Sequence, residues 1–224
     1  MAGRLYIAPI DLQPLFADLI VDAPLVISPN LPPRQRLSAI RLEAGRPHLS
    51  SLFWGLTPPW LKVLDHAPHC ARAEALESRP MFNEAFQARR CLIPVSGVYA
   101  WRSQAGAKQP YLITRTDRGP LLLAGLWCRF HTSLTEHTDS LALITVGSPT
   151  LLAPITERFP AVIKSHDAEP WLDPRTPMTE VRSKLSTAPG ELLGAFPVSR
   201  RVNHPAYQEP ACAHPIGPML RQQD

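Results

Sequence analysis

The stretch Asp65 to Glu74, DHAPHCARAE, concentrates more reactive side chains than any other part of the chain: Asp65, His66, His69, Cys70, Arg72 and Glu74. Two chemistries suit it. His66, His69 and Cys70 are donor types for zinc, but a closed structural site wants four ligands, and the adjacent His69 and Cys70 point to opposite sides of an extended backbone. No metal is therefore expected. The same period of two puts Cys70, Arg72 and Glu74 on one face, offering a thiol, a cation and a carboxylate to one surface. The plainer alternative is a solvated Arg–Glu pair beside a buried cysteine. Elsewhere there is no GxGxxG, Walker loop, HExxH or GxSxG, and no cofactor is expected.

Several elements must position these groups. DLQPLFADLI, from Asp11, reads as a short helix with Asp11 as N-cap and Leu12, Leu15, Phe16 and Leu19 on one face. Residues 36–42 and 48–54 alternate as two strands about Glu43-Ala44-Gly45-Arg46-Pro47, a hairpin. A helix opened by Ser78 is predicted over 80–89, with Met81, Phe82, Ala85 and Phe86 inward. CLIPV, GVYAW, PYLITR, PLLLAGLW and SLALITV are apolar runs of strand length. Short helical pieces follow over 148–153, 166–172 and 178–185, then a strand-like FPVSRRV and an irregular tail. The pattern predicts an α+β domain with a large, mainly antiparallel β-sheet and short flanking helices.

The totals are consistent with this. The chain has 224 residues, 45% hydrophobic and 19% charged, with 26 prolines spread along it and four cysteines that form no CxxC pair. That length fits one domain able to bury a core without disulfide or metal. No apolar run approaches the ~18 residues of a membrane span, and the first residues lack a signal-peptide layout, so a soluble, cytoplasmic, reduced and monomeric protein is expected. Net charge is +4, and the only lysines are Lys62, Lys108, Lys164 and Lys184. An arginine-dominated excess suits phosphate binding and base stacking, though GC-rich coding bias produces the same composition.

Taken in order, the motifs resemble the SRAP family (SOS-response-associated peptidase domain). The family's Met-Cys-Gly-Arg start is Met1-Ala2-Gly3-Arg4 here, and its Asn-x-Ala-Pro loop is echoed in Asn30-Leu31-Pro32-Pro33. Trp-Gly-x-x-Pro-x-Trp appears as Trp54 to Trp60, and Asn-Ala-Arg-x-Glu as Cys70-Ala71-Arg72-Ala73-Glu74. Further matches are Arg90 to Pro94, Gly97-Val98-Tyr99-Ala100-Trp101, Lys108 to Tyr111, Ala124 to Trp127, Ile155-Thr156-Glu157-Arg158-Phe159-Pro160 and Pro197 to Asn203. The resemblance implies a single SRAP-like domain over residues 1–224, a large sheet or open barrel, with about 205–224 as an irregular tail.

It also implies a function. SRAP proteins capture abasic sites in single-stranded DNA: an N-terminal Cys, exposed by removal of Met, condenses its amine with the sugar aldehyde and closes a thiazolidine with its thiol. A Glu and a His move protons and an Asn positions the terminus. Here those positions are Ala2, Ala100, Thr156 and Cys70, so neither crosslinking nor autoproteolysis is expected. The binding half is retained in Arg4, Asn30, Pro33, Trp60, Arg72, Glu74 and Arg158, which suits sequence-tolerant contact with single-stranded or abasic DNA. Trp54 reads as core and Trp60 as exposed. Two alternatives stand beside this reading. One is weak imine-forming, lyase-like activity through the N-terminal amine. The other is a ligand-binding or interaction scaffold without DNA.

Overall fold

The computed structural model describes residues 3–61, 67–104, 106–133 and 135–222. Fourteen strands and three short α-helices make up its regular structure, with several 3-10 turns between them. The strands are β1 (Leu5–Ile7), β2 (Ile20–Val21), β3 (Ser28–Leu31), β4 (Arg36–Glu43), β5 (Arg46–Trp54), β6 (Cys70–Arg72), β7 (Arg90–Val95), β8 (Gly97–Gln104), β9 (Ala107–Arg115), β10 (Leu121–His131), β11 (His137–Gly147), β12 (Arg158–Pro160), β13 (Leu193–Pro197) and β14 (Leu220–Arg221). The helices are α1 (Pro80–Ala88), α2 (Ala168–Leu172) and α3 (Met178–Ser183). Among the described residues no helix is long and apolar enough to cross a membrane.

Two sheets carry the fold. One is six-stranded, in the order β14-β13-β9-β8-β1-β3; the other runs β12-β11-β10-β7-β4-β5-β2, with β6 added on β11. The expected large, mainly antiparallel sheet is present, and β11 also pairs in parallel with β5 through Ser140↔Phe53 and Leu141↔Trp54, so β5, β4, β7, β10 and β11 close into a ring. Closure removes the unpaired edges that a sheet of this length would expose.

The apolar runs of the sequence follow from burial on both faces. Leu37, Leu52, Trp54, Ile93, Leu123 and Leu141, one parity of all five strands, share one cluster inside the ring with Leu5, Val98 and Ile113 of the second sheet. Opposite parity, Ile40, Leu92, Leu122, Ala124 and Ile144, packs under Phe82 and Phe86 of α1 and Trp171 of α2. Strands covered on both sides read as continuous hydrophobic stretches rather than as alternation. Arg90 fastens the helical layer: its guanidinium donates to the carbonyls of Phe86, Gln87, Trp171 and Asp173.

The hairpin turns at Ala44 and Gly45, which adopt φ of 47° and 79°, and Glu43 faces Arg46 in register. Two residues at positive φ match the twist of the flanking strands. Several local predictions are corrected. Asp11 caps a single turn, its Oδ1 accepting from the Gln13 N–H, and Leu15 and Phe16 both donate to the Leu12 carbonyl. No helix propagates, because one turn does not recover the cost of nucleation and Ile20 and Val21 are drawn into β2 beside β5. Residues 148–153 likewise form no helix: 150–155 are turns, and Pro149 and Pro154 cannot donate to a helix. Arg79, not Ser78, sits at the N-cap of α1, with Pro80 supplying the pre-set first φ. FPVSRRV ends as a strand at Pro197 and continues as a 3-10 turn over Arg200–Asn203, with the Ser199 hydroxyl accepting from the Arg201 N–H. The tail is irregular only in part: it contributes a 3-10 turn, Pro210–Ala213, and β14 as an edge to β13.

Candidate functional site

β1 runs beside β8 only through Leu5↔Val98 and Tyr6↔Gly97, and the last contact along it is the Tyr99 N–H on the Arg4 carbonyl. Beyond that point no further β1–β8 pairing occurs among the described residues. A cleft of about 550 Å³ lies there, lined by Arg4, Tyr99, Ala100, Trp101, Ser103, Lys108, Thr156, Arg158, Phe159 and Asn203 among others. Three elements remote in sequence therefore meet: β8, the turn leading into β12, and the 3-10 turn after β13.

Arg4 is the innermost cation, 9% exposed. Its Nη1 donates to Asn30 Oδ1 at 2.7 Å and to the Val202 carbonyl at 2.9 Å, and its guanidinium lies over the Trp101 ring at 5.8 Å. Its Nε is buried without a partner among the described residues. Burial draws its pKa down from the usual arginine value, yet a guanidinium stays charged at any physiological pH. Asn30 is fully buried and donates from Nδ2 to the carbonyls of Val202, His204 and Tyr207. Its side chain is spent on protein groups, so it reaches the cleft only through Arg4.

Arg158 holds the opposite wall. Its Nη2 donates to Glu74 Oε2 at 2.8 Å and to the Thr145 carbonyl at 2.6 Å, while Nε reaches Thr145 Oγ1 at 3.3 Å. That contact ties β12 to β11 and to the turn after β6. The Arg158 hydrogen bond holds the Glu74 carboxyl below the usual carboxylate range. Thr156 spends its hydroxyl on the Arg158 carbonyl, at 3.0 Å. Arg4, Lys108 and Arg158 thus charge a lining that contains no carboxylate and no imidazole among the described residues.

The structure gathers Arg4, Ala100, Thr156 and Arg158 and reaches Glu74 through Arg158. Of the other sequence-predicted residues that are described, none is in the lining. Cys70 is half-buried on β6, in register with Leu143, and burial pushes its thiol pKa up to about 12, so at neutral pH it is protonated and a poor nucleophile. Arg72 is exposed at the end of the same strand, beside Thr145. Cys70 and Arg72 lie on one side of the strand, with Ala71 buried on the other, but Glu74 belongs to the following 3-10 turn. Pro33 is half-buried in the turn before β4, next to Arg34 at φ 67°. Trp54 is core, donating from Nε1 to the His69 carbonyl, and Trp60 is 55% exposed in a turn. Ala2, Asp65 and His66 lie outside the described residues. Among those described, the one three-donor set of metal-ligand type includes neither His69 nor Cys70.

Trp101, Lys108 and Asn203 of the lining stand in motifs of the sequence but not among its candidate site residues, and Ser103 stands in neither. Trp101 donates from Nε1 to Asn203 Oδ1 at 2.7 Å, across 102 residues of chain. The available signal was that both end conserved-order motifs, Gly97 to Trp101 and Pro197 to Asn203.

The sequence profile described as SOS response associated peptidase (SRAP) matches residues 1–205. The chain belongs to the SRAP family. Within SRAP, it is 29% identical over 185 residues to the abasic site processing protein YoqW of Bacillus subtilis, spanning 81% of this chain and 83% of that protein. It is 24% identical over 191 residues to the abasic site processing protein YedK of Escherichia coli, spanning 84% of each. A crystal structure of a Bacteroides thetaiotaomicron protein superposes with a TM-score of 0.83 at 21% identity, covering 95% of this chain and 99% of that one, which shows the shared fold. Ala100 and Thr156 line the same cleft, although 56 residues separate them in the chain.

Proposed function

We propose that this SRAP protein binds single-stranded DNA, abasic sites included, in the cleft between Arg4 and Arg158, and that it forms no thiazolidine crosslink. The reading rests on one observation above all. The cleft keeps three cations, Arg4, Lys108 and Arg158, while Ala100 and Thr156 stand at the two positions expected to move protons. Guanidinium and ammonium groups neutralise phosphates whatever the base sequence, and the stacked Trp101 and the exposed Trp60 offer aromatic faces to unpaired bases. With Ala2 in place of the family's Cys, amine and thiol no longer flank one carbon pair, and the ring cannot close. The abasic site processing activity named for its relatives is consistent with the lesion as a ligand.

A gel shift with single-stranded and 3′-overhang oligonucleotides, with and without an abasic site, at low and high salt tests the reading. Expected is salt-sensitive binding at micromolar protein and no species surviving heat and denaturant on the abasic strand. Absence of salt-sensitive binding sinks the DNA assignment, and a heat-stable adduct sinks the loss of crosslinking.

A further inference from the structure

Towards the hairpin end of the ring the interior changes from apolar to charged. Arg41, Trp127, Arg129 and Asp139 continue the parity of Ala39, Leu123 and Leu141. Arg41 and Arg129 both donate to Asp139, and the Arg41 guanidinium lies 4.5 Å over the Trp127 ring. At the rim above this layer stand Asp22, Glu43 and His48. Register sets them side by side: His48 pairs with Arg41 across β4 and β5 and with Ile20 across β2 and β5, and the Asp22 N–H is tied to the Leu49 carbonyl.

We propose that Asp22, Glu43 and His48 bind a divalent transition-metal ion of the zinc class. One oxygen of each carboxylate and a ring nitrogen of His48 lie within 4.8 Å of one another, and His48 Nδ1 is 3.1 Å from Asp22 Oδ1. Imidazole with carboxylates is a borderline donor set, suited to zinc and its first-row neighbours rather than to magnesium or calcium. Each carboxylate is oriented from behind: Ser50 Oγ donates to Asp22 Oδ2 at 2.9 Å, and Arg41 Nη2 holds Glu43 Oε1 at 2.6 Å. Such outer partners fix ligand direction in metal sites. A separate observation calls for a ligand here. Arg41, with a side chain only 8% exposed, has an Nε–H with no partner among the described residues. That N–H belongs to the guanidinium whose Nη2 holds Glu43, and it lacks an acceptor among the described residues. Three protein donors leave coordination positions open, and a water, hydroxide or anion bound to the ion supplies that acceptor.

The test uses full-length, tag-free, chelator-treated protein, titrated with Zn²⁺ by calorimetry and with Co²⁺ by visible absorption. Expected is one ion per chain, weakened at least tenfold by Asp22→Asn and by His48→Ala, and by about 10–100-fold in Ser50→Ala. His214→Ala, in the C-terminal tail, leaves it unchanged. Asp22 is at the exposed rim, so its variant keeps the fold, which circular dichroism checks. No binding at micromolar Zn²⁺, or equal binding by wild type and Asp22→Asn, overturns the site.

Discussion

Arg158 and Glu74, 84 residues apart, are joined by two hydrogen bonds, at 2.8 and 3.3 Å. The pair divides the work of one guanidinium. Arg158 faces the cleft but is held from outside by a carboxylate that does not line it.

Removing either partner should therefore move DNA binding in opposite directions. Arg158→Ala should weaken binding and lower the salt slope by about 0.7, the release expected for one phosphate contact on a single strand. Glu74→Gln should tighten binding by up to about fivefold, matching the ~1 kcal/mol upper range of an exposed pair. Fluorescence anisotropy across a salt series reads both. A Glu74→Gln variant that binds more weakly would mean that the pair's role is to shape the wall.

Restoring the reacting groups should restore the reaction. The quadruple variant Ala2→Cys, Cys70→Asn, Ala100→Glu and Thr156→His should form a heat-stable adduct with an abasic oligonucleotide on a denaturing gel. Ala2→Cys alone should react more slowly by about 10²–10⁴, the usual contribution of general acid–base groups. Equal rates would show that the cleft supplies proton transfer by other means.

Asp139 should be the most sensitive charge in the barrel. It is 8% exposed and neutralises Arg41 and Arg129. Asp139→Ala removes the more buried of the two carboxylates that pair with Arg41, leaving Glu43 alone to balance it, and should cost about 3 kcal/mol in urea unfolding. Burial pushes the Asp139 carboxyl up, but hydrogen bonds and charge from Arg129 and Arg41 outweigh it, and its pKa lies below the ordinary value. A depressed folded pKa gives stability that is complete above the unfolded ~3.9 and is lost as pH falls through the lower folded value. Asp139→Asn should accordingly flatten the acid limb of the stability–pH curve. An unchanged limb would assign acid sensitivity to other carboxylates.

Gly125 should tolerate no side chain. A Cβ there would come 2.4 Å from Ile93 Cδ1 and 2.9 Å from Cys91 Sγ inside the ring. Gly125→Ala should lower stability by about 1–3 kcal/mol, the range for overpacking, seen as a lower urea midpoint with unchanged slope. A neutral result would mean that Ile93 changes rotamer at no cost.

Much of this protein is determined by local sequence. The hairpin about Ala44-Gly45, the five long strands from Arg90 to Gly147 and α1 were legible because apolar runs, turn residues and Pro80 act over a few neighbours. The order of motifs identified the family, and the expectation that Ala2, Cys70, Ala100 and Thr156 stand at its reactive positions needed no coordinates. Local patterns misled where tertiary pairing competed with them. The Asp11 segment gave up a helix because its end was recruited to β5, and the final motif bent at Pro197. Only the tertiary structure decided which arginines are available. Arg4, Arg72 and Arg158 look alike in a sequence, yet one is buried on Asn30, one is exposed at a strand end and one is clasped by Glu74. Equally, nothing in the sequence places Asp22, Glu43 and His48 together. The β4–β5 hairpin brings Glu43 near His48, which spacing could report, but Asp22 joins them only because β2 lies parallel to β5, a pairing too distant in the chain for spacing to show.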